Sequence, residues 1–396
     1  MSGPLAGARV IELAHIMAGP VCGLMLADMG AEVIKVEKPE GDDTRRMVPP
    51  KVNGESAAFM MMNRNKRGVM LDLKDPRGRE ALGRLIDGAD ILIENYRQGT
   101  MEKLGLGYET LRKRNPGLVY VEVSGFGRTG PYAARGGFDL IAQGMSGLMS
   151  ITGEGHGRPP VKVGAPVSDI TAGILAAMGA LAAYVHRLKS GEGQRVDTSL
   201  FEAAITQTYW QSAIAFATGR APGPMGSAHP LNAPYQAFQT ADGWITVGAA
   251  NQRNWERLCA ILDAGELLAD PRFKANADRM AHLDALEAAL TPHFRTRPTA
   301  EWLAACEAGG VPAGPVLDIR QMHADPQTRA REMVVALDHP VAGPVETIGL
   351  PVKFSATPGA VTRPAPVLGQ ETRDVLIEAG LDAAEVDAML ADWRAS

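Results

Sequence analysis

The chain has 396 residues, of which 45% are hydrophobic, and a net charge of −5 at pH 7. This composition is typical of globular proteins, and the length allows two or three domains of ordinary size. Because the chain carries no basic excess, nucleic acid and anionic membrane surfaces are not expected as partners, although local basic clusters could still bind small acidic ligands.

The cysteines and the apolar segments predict a cytoplasmic protein. Cys22, Cys259 and Cys306 are odd in number and widely spaced, which favours reduced thiols over a disulfide framework or a metal site. The first nine residues show no charged region followed by an apolar core, so no secretory signal is expected. The most apolar run, 170–185, is shorter than the roughly 18 residues that a membrane-spanning helix needs.

The first half of the chain alternates strand patterns with helix patterns. Strands are predicted at 9–14, 31–36, 69–73, 91–93, 118–123 and 194–199. Helices are predicted at 19–29, 76–87 and 106–115, and a long apolar helix follows Asp169. Single helices between successive strands indicate βαβ units with right-handed crossovers. We therefore predict an α/β fold with a doubly wound, Rossmann-like parallel sheet in a large domain formed by residues 1–200 and 335–396.

A change in composition marks a second domain. Residues 221–230 are rich in Pro, Gly and Ser, and a hairpin pattern at 235–247 and helix patterns at 255–310 follow them. This order predicts a smaller α+β domain over 225–325. Residues 201–224 and 326–334 are predicted to be linkers.

The standard cofactor and nucleophile motifs are absent from the sequence. The segment after the first strand does not match G-x-G-x-x-G, and the chain contains no P-loop, H-E-x-x-H, C-x-x-C or G-x-S-x-G pattern. Classical NAD binding, phosphoryl transfer, zinc hydrolysis and serine-hydrolase chemistry therefore lose their support. We expect neither a metal nor NAD as a cofactor.

Cations and an amide–aromatic pair follow the predicted strands. Lys38 and Lys74 each come after a strand, at the end of a parallel sheet where ligands bind and where cations can pair with phosphates. Asn95 and Tyr96 begin a loop that could hold a nucleobase by hydrogen bonding and stacking. A solvated loop is the commoner interpretation for either lysine alone, and a turn with a packing tyrosine is the commoner one for the pair.

Two acids, Asp139 and Asp169, each stand at the start of an apolar helix pattern. An aspartate there is favoured by capping, worth about 0.5–2 kcal/mol, and by the helix dipole. Ser168 is also available as the N-cap, so the cap does not need Asp169. A carboxylate among apolar neighbours and backbone N–H groups can be a nucleophile. The local pattern leaves both roles open.

Taken together, these segments resemble the class III coenzyme A transferases, the group that contains formyl-CoA transferase and carnitine CoA-transferase. The resemblance runs from Leu5 to Gly369, nearly the whole chain. Its most specific segments are residues 18–20, 30–37, 65–67, 94–96, 139–143 and 164–173.

The resemblance implies an acyl-CoA:carboxylate CoA-transferase. In that family the aspartate that Asp169 matches is the nucleophile, which forms an acyl anhydride and then an aspartyl-CoA thioester. The donor would be an acyl-CoA, the acceptor a small mono- or dicarboxylic acid, and the assembly an intertwined, ring-like homodimer. Asp139 matches an acid near the nucleophile. The residues that match positions around the CoA nucleotide are Lys38, Lys74, Asn95, Tyr96 and Lys103.

Departures from the family pattern narrow the expected reaction. Met17 stands where formyl-CoA transferase has a glutamine, and its loop of four glycines is absent, so formate and oxalate are not expected as acceptors. A short dicarboxylate of the succinate type, or an acid with an apolar portion, is expected instead.

Two other functions remain as alternatives. Alpha-methylacyl-CoA racemase shares this fold, but Phe138 replaces its proton-transferring histidine, and His15 and His156 lie elsewhere in the pattern. Racemisation is therefore disfavoured. A non-catalytic acyl-CoA-binding protein, in which Asp169 is only a cap, is the third interpretation.

Overall fold

The computed structural model describes residues 3–395. The chain divides into two compact units. The first contains the residues up to Ser146, Val163–Gln207 and the residues from Pro326 onward, and the second contains Gly147–Lys162 and Thr208–Asp325. The domain and linker boundaries drawn from the sequence stay predictions.

The first unit is built on a six-stranded sheet in which every neighbouring pair is parallel. In chain order the strands are β1 (Arg9–Glu12), β2 (Glu32–Glu37), β3 (Arg67–Met70), β4 (Ile91–Glu94), β5 (Val119–Ser124) and β6 (Arg195–Ser199). Their order across the sheet is β3-β2-β1-β4-β5-β6. This is the doubly wound, Rossmann-type order, which reverses between β1 and β4. The predicted α/β fold with a parallel sheet is confirmed.

The helices of this part of the chain lie between the strands and after them. They are α1 (Ala18–Asp28), α2 (Ala57–Asn63), α3 (Pro76–Asp87), α4 (Thr100–Lys103), α5 (Tyr108–Arg114), α6 (Asp139–Met145), α7 (Val167–Ser190) and α8 (Leu200–Thr206). A 3-10 turn (Asp43–Arg46) and a two-residue hairpin (Lys51–Val52 with Glu55–Ser56) follow β2. Asp75 caps α3 by accepting a hydrogen bond from the Arg77 N–H at 2.9 Å, which explains the clear start of that helix.

The long helix α7 is the central helix of the unit. Ala172, Ala176 and Ala180 form a fully buried stripe at helical spacing in the same core as α1, β4 and β5. By length and composition α7 could also cross a membrane, because an 18-residue window has a mean hydropathy of 1.5. The apolar stretch is thus longer than the sequence predicted, and its buried alanine face is that of a core helix.

The second unit has a three-stranded antiparallel sheet and its own core. Its strands are β7 (Tyr235–Gln239), β8 (Trp244–Gly248) and β9 (Ala313–Pro315). Its helices are α9 (Tyr209–Thr218), α10 (Gln252–Ile261), α11 (Glu266–Ala269), α12 (Asn276–Ala281), α13 (Leu283–Phe294), α14 (Thr299–Gly309) and α15 (Ile319–Ala324), with 3-10 turns at Leu148–Ser150 and Pro271–Phe273. Phe238 stacks on Phe294 with ring centroids 4.7 Å apart in a core that also holds Trp255 and Trp302.

The C-terminal segment packs within the first unit. It contains α16 (Pro326–Ala330), the antiparallel pair β10 (Val334–His339) and β11 (Gly343–Ile348), α17 (Thr372–Glu378) and α18 (Ala383–Ala395). Leu376 and Leu390 belong to the same buried cluster as Ile11 and Leu82. The last two helices therefore cover the face of the sheet on which α3 lies.

Candidate active site

The loops after β1 and β4 meet where the strand order reverses, and Asn95 joins them. Its Oδ1 accepts a hydrogen bond from the His15 N–H at 2.9 Å, and its Nδ2 donates to the His15 carbonyl at 2.8 Å. Gly19 allows this approach, since a Cβ there would lie 2.2 Å from the Ala14 Cβ. The structure therefore places Asn95 as a clamp that fixes the chain entering α1.

The next residue, Ile16, has a strained backbone. Its φ of 68° lies in the left-handed region, which a β-branched side chain rarely adopts. The Ile16 N–H donates to Asp42 Oδ1 at 3.3 Å, and Lys35 lies 2.9 Å from the other oxygen of Asp42. Burial opposes the charge on Asp42, but Lys35 and the Thr44 donors outweigh it and hold the pKa of Asp42 well below its usual range. A fixed buried anion thus stabilises an unfavourable loop conformation.

A cavity of about 290 Å³ lies at this end of the sheet. The loops after β1, β4 and β5 and the first turn of α7 contribute its walls. Its lining residues include His15, Met17, Arg97, Arg135, Phe138 and Asp169. Carboxyl ends of parallel strands at the point of strand reversal are where open α/β sheets bind ligands.

Asp169 lies in the first turn of α7 and does not cap the helix. The helix begins at Val167 with Pro166 as N-cap residue and without a capping side chain, so Ser168, although available from the sequence, is not the N-cap. Asp139 instead serves α7 from outside, because its Oδ1 accepts the Ser168 N–H at 2.9 Å. Its Oδ2 accepts a hydrogen bond from the Gln143 side chain at 2.7 Å. Because Asp139 already accepts the hydrogen bond from the Ser168 N–H, the capping interpretation of Asp169 loses its basis.

Burial and a neighbouring charge make Asp169 an unusual acid. Burial is the larger cause and the charge of Asp139 the smaller one, and together they raise the pKa of Asp169 from 3.8 to about 6. At neutral pH the group is still mostly ionised. The cavity therefore presents a carboxylate that is poorly solvated and more basic than an exposed one.

Close packing between α7 and α1 brings Asp169 to this position. Gly173, one turn after Asp169, is buried, and a Cβ there would lie 2.6 Å from the Ala18 carbonyl oxygen and 2.6 Å from the Val21 Cβ. Any larger residue would push the helices apart. The first turn of α1, which no side chain caps, consequently faces the same cavity as Asp169 through Met17 and Ala18. Its free N–H groups can stabilise negative charge.

A second and larger cavity of about 1020 Å³ lies at the carboxyl ends of β2 and β3. Lys38 and Lys74 are both exposed at its edge, and Lys38 lies 3.1 Å from Asp43. Tyr96 lines this cavity as well as the one containing Asp169. The two cavities are therefore adjacent, and Tyr96 forms part of the wall of both.

The predicted site residues are thus distributed over two places. Asp169, Asn95 and Tyr96 line the smaller cavity, and Lys38, Lys74 and Tyr96 line the larger one. Asp139 contacts the residue before Asp169, because it accepts a hydrogen bond from the Ser168 N–H. Lys103, the last residue of α4, is exposed and lines neither of them, although its neighbour Leu104 lines the larger cavity.

Three lining residues were missed by the sequence arguments. Arg97 could have been found, because it follows the Asn95–Tyr96 pair that was already a candidate for ligand binding. Arg135 lies in a loop without a recognisable sequence pattern. His15 was placed outside the proton-transfer pattern, yet it lines the cavity with its ring 5.7 Å from Tyr96. Burial lowers the pKa of His15, so it is neutral at pH 7. Among residues 3–395, no cluster of three or more His, Cys, Asp or Glu side chains could hold a metal ion.

Comparison with known proteins identifies the chain as a CoA-transferase. The chain belongs to CoA-transferase family III, whose family model matches residues 5–372. Enzymes of this family transfer CoA between a CoA thioester and a carboxylate, and the resemblance seen in the sequence is confirmed.

Individual relatives agree with this assignment. The chain is 43% identical to the succinate–glutarate CoA-transferase of Agrobacterium fabrum, over 95% of either chain. It is 40% identical to the acetyl-CoA:oxalate CoA-transferase of Acetobacter aceti, over 93% of this chain and 94% of that one. The crystal structure of a CAIB/BAIF family protein from Brucella suis matches with a TM-score of 0.85 and 38% identity, covering 96% of this chain and 100% of that chain.

Proposed function

We propose that this enzyme transfers CoA from an acyl-CoA to a short dicarboxylic acid through covalent intermediates on Asp169. The observation that carries the proposal is the placement of Asp169, a desolvated carboxylate that caps no helix and faces a cavity at the point of strand reversal. Nucleophilic catalysis by a carboxylate requires this combination of ionisation, weak solvation and fixed position.

The first half-reaction consumes the donor. An Asp169 carboxylate oxygen attacks the thioester carbonyl, the C–S bond breaks, and CoA leaves as a thiolate while an aspartyl acyl anhydride forms. The thiolate then attacks the Cγ of Asp169, the bond between Cγ and the bridging oxygen breaks, and the donor acid leaves as a carboxylate. Asp169 remains as an aspartyl-CoA thioester, and one of its oxygens has left in the donor acid.

The second half-reaction repeats these steps in reverse. The acceptor carboxylate attacks the aspartyl thioester and displaces the CoA thiolate, which gives a new anhydride. The thiolate then attacks the acceptor acyl carbon, which releases the new acyl-CoA and the Asp169 carboxylate. Carboxylate and thiolate simply exchange charge in each step, so the cycle needs no net proton transfer. A proton-transferring residue at position 138 is therefore unnecessary, and Phe138 is compatible with the reaction.

Each attack passes through a tetrahedral oxyanion that must be stabilised. The uncapped first turn of α1 lies at the cavity, and N–H groups at a helix N-terminus are well suited to this charge. We propose that the strained Ile16 backbone, which Asp42 holds in place, orients the N–H groups of this turn towards the oxyanion.

The charge of Asp139 should be visible in the pH dependence of the first half-reaction. Because Asp139 raises the pKa of Asp169, replacing it by asparagine (D139N) should move the acidic limb of kcat/KM for acyl-CoA, expected near pH 6, to lower pH. The profile would be measured between about pH 4 and pH 8, with Asp284→Asn, which changes an exposed acid in the first turn of α13, as a control that leaves the limb unchanged. A limb that stays in place or moves to higher pH in D139N would argue against Asp169 as the titrating group.

The walls of the smaller cavity favour a dicarboxylate acceptor. Arg97 and Arg135 both line it, so one carboxylate of the acceptor can react with the aspartyl thioester while the other pairs with a guanidinium. The relatives from Agrobacterium fabrum and Acetobacter aceti are named for succinate, glutarate and oxalate. With Met17 as an apolar wall residue, we propose acceptors of succinate or glutarate length in preference to oxalate.

Kinetics with a panel of acids test this proposed function. In the absence of acceptor, the enzyme should exchange labelled succinate into succinyl-CoA, because the first half-reaction is reversible. With an acceptor present, double-displacement kinetics and a higher kcat/KM for succinate and glutarate than for oxalate or monocarboxylates are expected. Tight CoA binding without exchange would support a binding protein, and solvent deuterium at the alpha carbon of a 2-methylacyl-CoA without exchange would support a racemase.

We propose that the CoA nucleotide lies in the larger cavity, with Lys38 and Lys74 near its phosphates and Tyr96 between the nucleotide and the thioester. Lysine acts here as a point charge and not as a bidentate fork. Lys103 would reach the nucleotide only from outside the cavity wall.

We further propose a cytoplasmic, intertwined, ring-like homodimer. The three cysteines are all buried free thiols, which fits a reducing compartment. Large apolar side chains on α7 and at the start of α6 are exposed, including Phe138 at 74%, Met178 at 61% and Leu188 at 69%. Exposed apolar groups of this size on one chain are typical of an interface.

Sedimentation should therefore give a mass twice that of the chain. Met178→Glu, which places a charge in the exposed apolar face of α7, should reduce the dimer fraction, whereas Lys189→Glu on the exposed end of the same helix should not. A wild-type chain that sediments as a monomer would contradict the proposed assembly.

A further inference from the structure

The C-terminal helix contributes a wall to the larger cavity. Leu390 and Trp393 of α18 line it together with Lys74 and Leu73 from the loop after β3. The family model matches residues 5–372, and α18 follows that match in the chain. A cavity of about 1020 Å³ is large enough for a nucleotide, and α18 supplies part of its wall.

Trp393 is attached to the loop that carries Lys74. Its indole is 5% exposed, and its Nε1 donates a hydrogen bond to Asp75 Oδ2 at 3.0 Å. Asp75 directly follows Lys74 and caps α3 through the Arg77 N–H. The ring also packs on the first turn of α3, where a Cβ on Gly78 would lie 3.4 Å from it.

The same loop is held from its other side. Arg79 donates to the carbonyl oxygens of Leu73 and Lys74 at 2.8 and 2.9 Å, and Asp72 accepts the Lys74 N–H at 2.8 Å. The backbone of Lys74 is therefore fixed while its ammonium group stays exposed at the cavity edge. A lysine side chain has four rotatable bonds, so fixing its backbone limits where the charge can be found.

We infer that Trp393 is a positioning residue for the nucleotide half of acyl-CoA, acting through Asp75 on the Lys74 loop and through its ring on the cavity wall. The inference rests on the proposed placement of CoA in this cavity. A residue that served only stability would affect every substrate equally. A positioning residue for the nucleotide affects only substrates that carry it, and this difference is measurable.

Trp393→Phe keeps an aromatic ring and removes the N–H donor. We expect the KM for succinyl-CoA to rise roughly three- to tenfold, the range that corresponds to losing one hydrogen bond. The kcat and the KM for the acceptor should stay unchanged. With succinyl-pantetheine, which lacks the nucleotide, the variant and the wild type should have equal KM values. Trp244→Phe, at an exposed position of the second unit, is the matched control and should leave both donors unaffected.

Two results would overturn the inference: equal losses with both donors, or no loss with either when thermal unfolding shows a folded variant. Calorimetric binding of CoA and of pantetheine keeps the test independent of the proposed chemistry. If Asp169 forms no intermediate, the proposed function fails, but the ratio of the two affinities in Trp393→Phe still decides the role of Trp393. Quenching of tryptophan fluorescence by CoA, reduced in Trp393→Phe and retained in Trp244→Phe, is a further expected result.

Discussion

Replacing Asp169 by asparagine should abolish CoA transfer and at the same time make the folded protein more stable at neutral pH. Asparagine has nearly the same shape but cannot attack a thioester, so kcat should fall by more than about a thousandfold. The stability gain follows from the pKa of Asp169, which is raised to about 6 in the folded protein from 3.8. Folding therefore disfavours the charged form.

The stability gain of D169N depends on pH, because it appears only where Asp169 is ionised in the unfolded wild type. A carboxyl group whose pKa is raised by folding costs nothing below its unfolded pKa, and the full cost is present above its folded pKa. About two pKa units correspond to about 2–3 kcal/mol, so D169N should gain that much at pH 7 but only about 0.5 kcal/mol near pH 4, just above the unfolded pKa.

Urea unfolding of both proteins at these two pH values measures the gain. The surface variant Asp284→Asn, an exposed acid in the first turn of α13, is the control and should change stability by no more than about 0.5 kcal/mol. Substantial transfer by D169N, or a variant that is less stable than the wild type at pH 7, would remove Asp169 from the centre of the mechanism.

The largest loss of stability is expected from Glu12→Gln (E12Q), because Glu12 joins two buried lysines. Its two oxygens lie 3.2 Å from Lys35 Nζ and 2.7 Å from Lys66 Nζ, and all three side chains are at most 1% exposed. Neutralising Glu12 leaves two buried ammonium groups with Asp42 as the remaining carboxylate in contact with Lys35. Breaking such a network costs about 3–5 kcal/mol.

The cost of E12Q should shrink as pH rises. Burial already lowers the pKa of Lys66 to about 8, and without Glu12 it falls further. The folded variant then binds fewer protons than the folded wild type until Lys66 is neutral in both proteins, so the cost of E12Q falls as pH rises through about 8 and levels off above that.

Urea unfolding at several pH values between about 7 and 10 tests this slope. The exposed pair of Arg84 and Glu80 provides the control, since Glu80→Gln should cost less than about 1 kcal/mol at every pH. An E12Q variant that is as stable as the wild type at pH 7 would show that the network contributes nothing.

The parallel sheet could be predicted because its strands carry strong local signals. Near-continuous apolar runs such as 91–93 and 118–123 are separated by single helices, and a right-handed crossover rule converts that order into a doubly wound sheet. The helix after Asp169 was also evident from its composition. Its start was misplaced because the side chain that serves its first turn, Asp139, comes from another helix.

The site itself depends on contacts that are distant in the chain. In the sequence, Gly173 is only a residue that weakens a helix. The structure shows that it allows α7 to approach the Ala18 carbonyl. Lysine is almost never fully buried, yet Lys66 is buried against Glu12 beneath α1. No local pattern indicates such buried pairs, whereas Lys38 and Lys74 were singled out because each comes shortly after a predicted strand.

Trapping the enzyme during turnover tests the central claim most directly. Succinyl-CoA would be added, the reaction quenched with hydroxylamine, and the modified peptide identified by mass spectrometry, with D169N as the matched control. The mechanism predicts a hydroxamate on Asp169 in the wild type and, with acceptor acid labelled with heavy oxygen, transfer of the label first to Asp169 and then to the released donor acid. Transfer of CoA without any modification or label at Asp169 would contradict it.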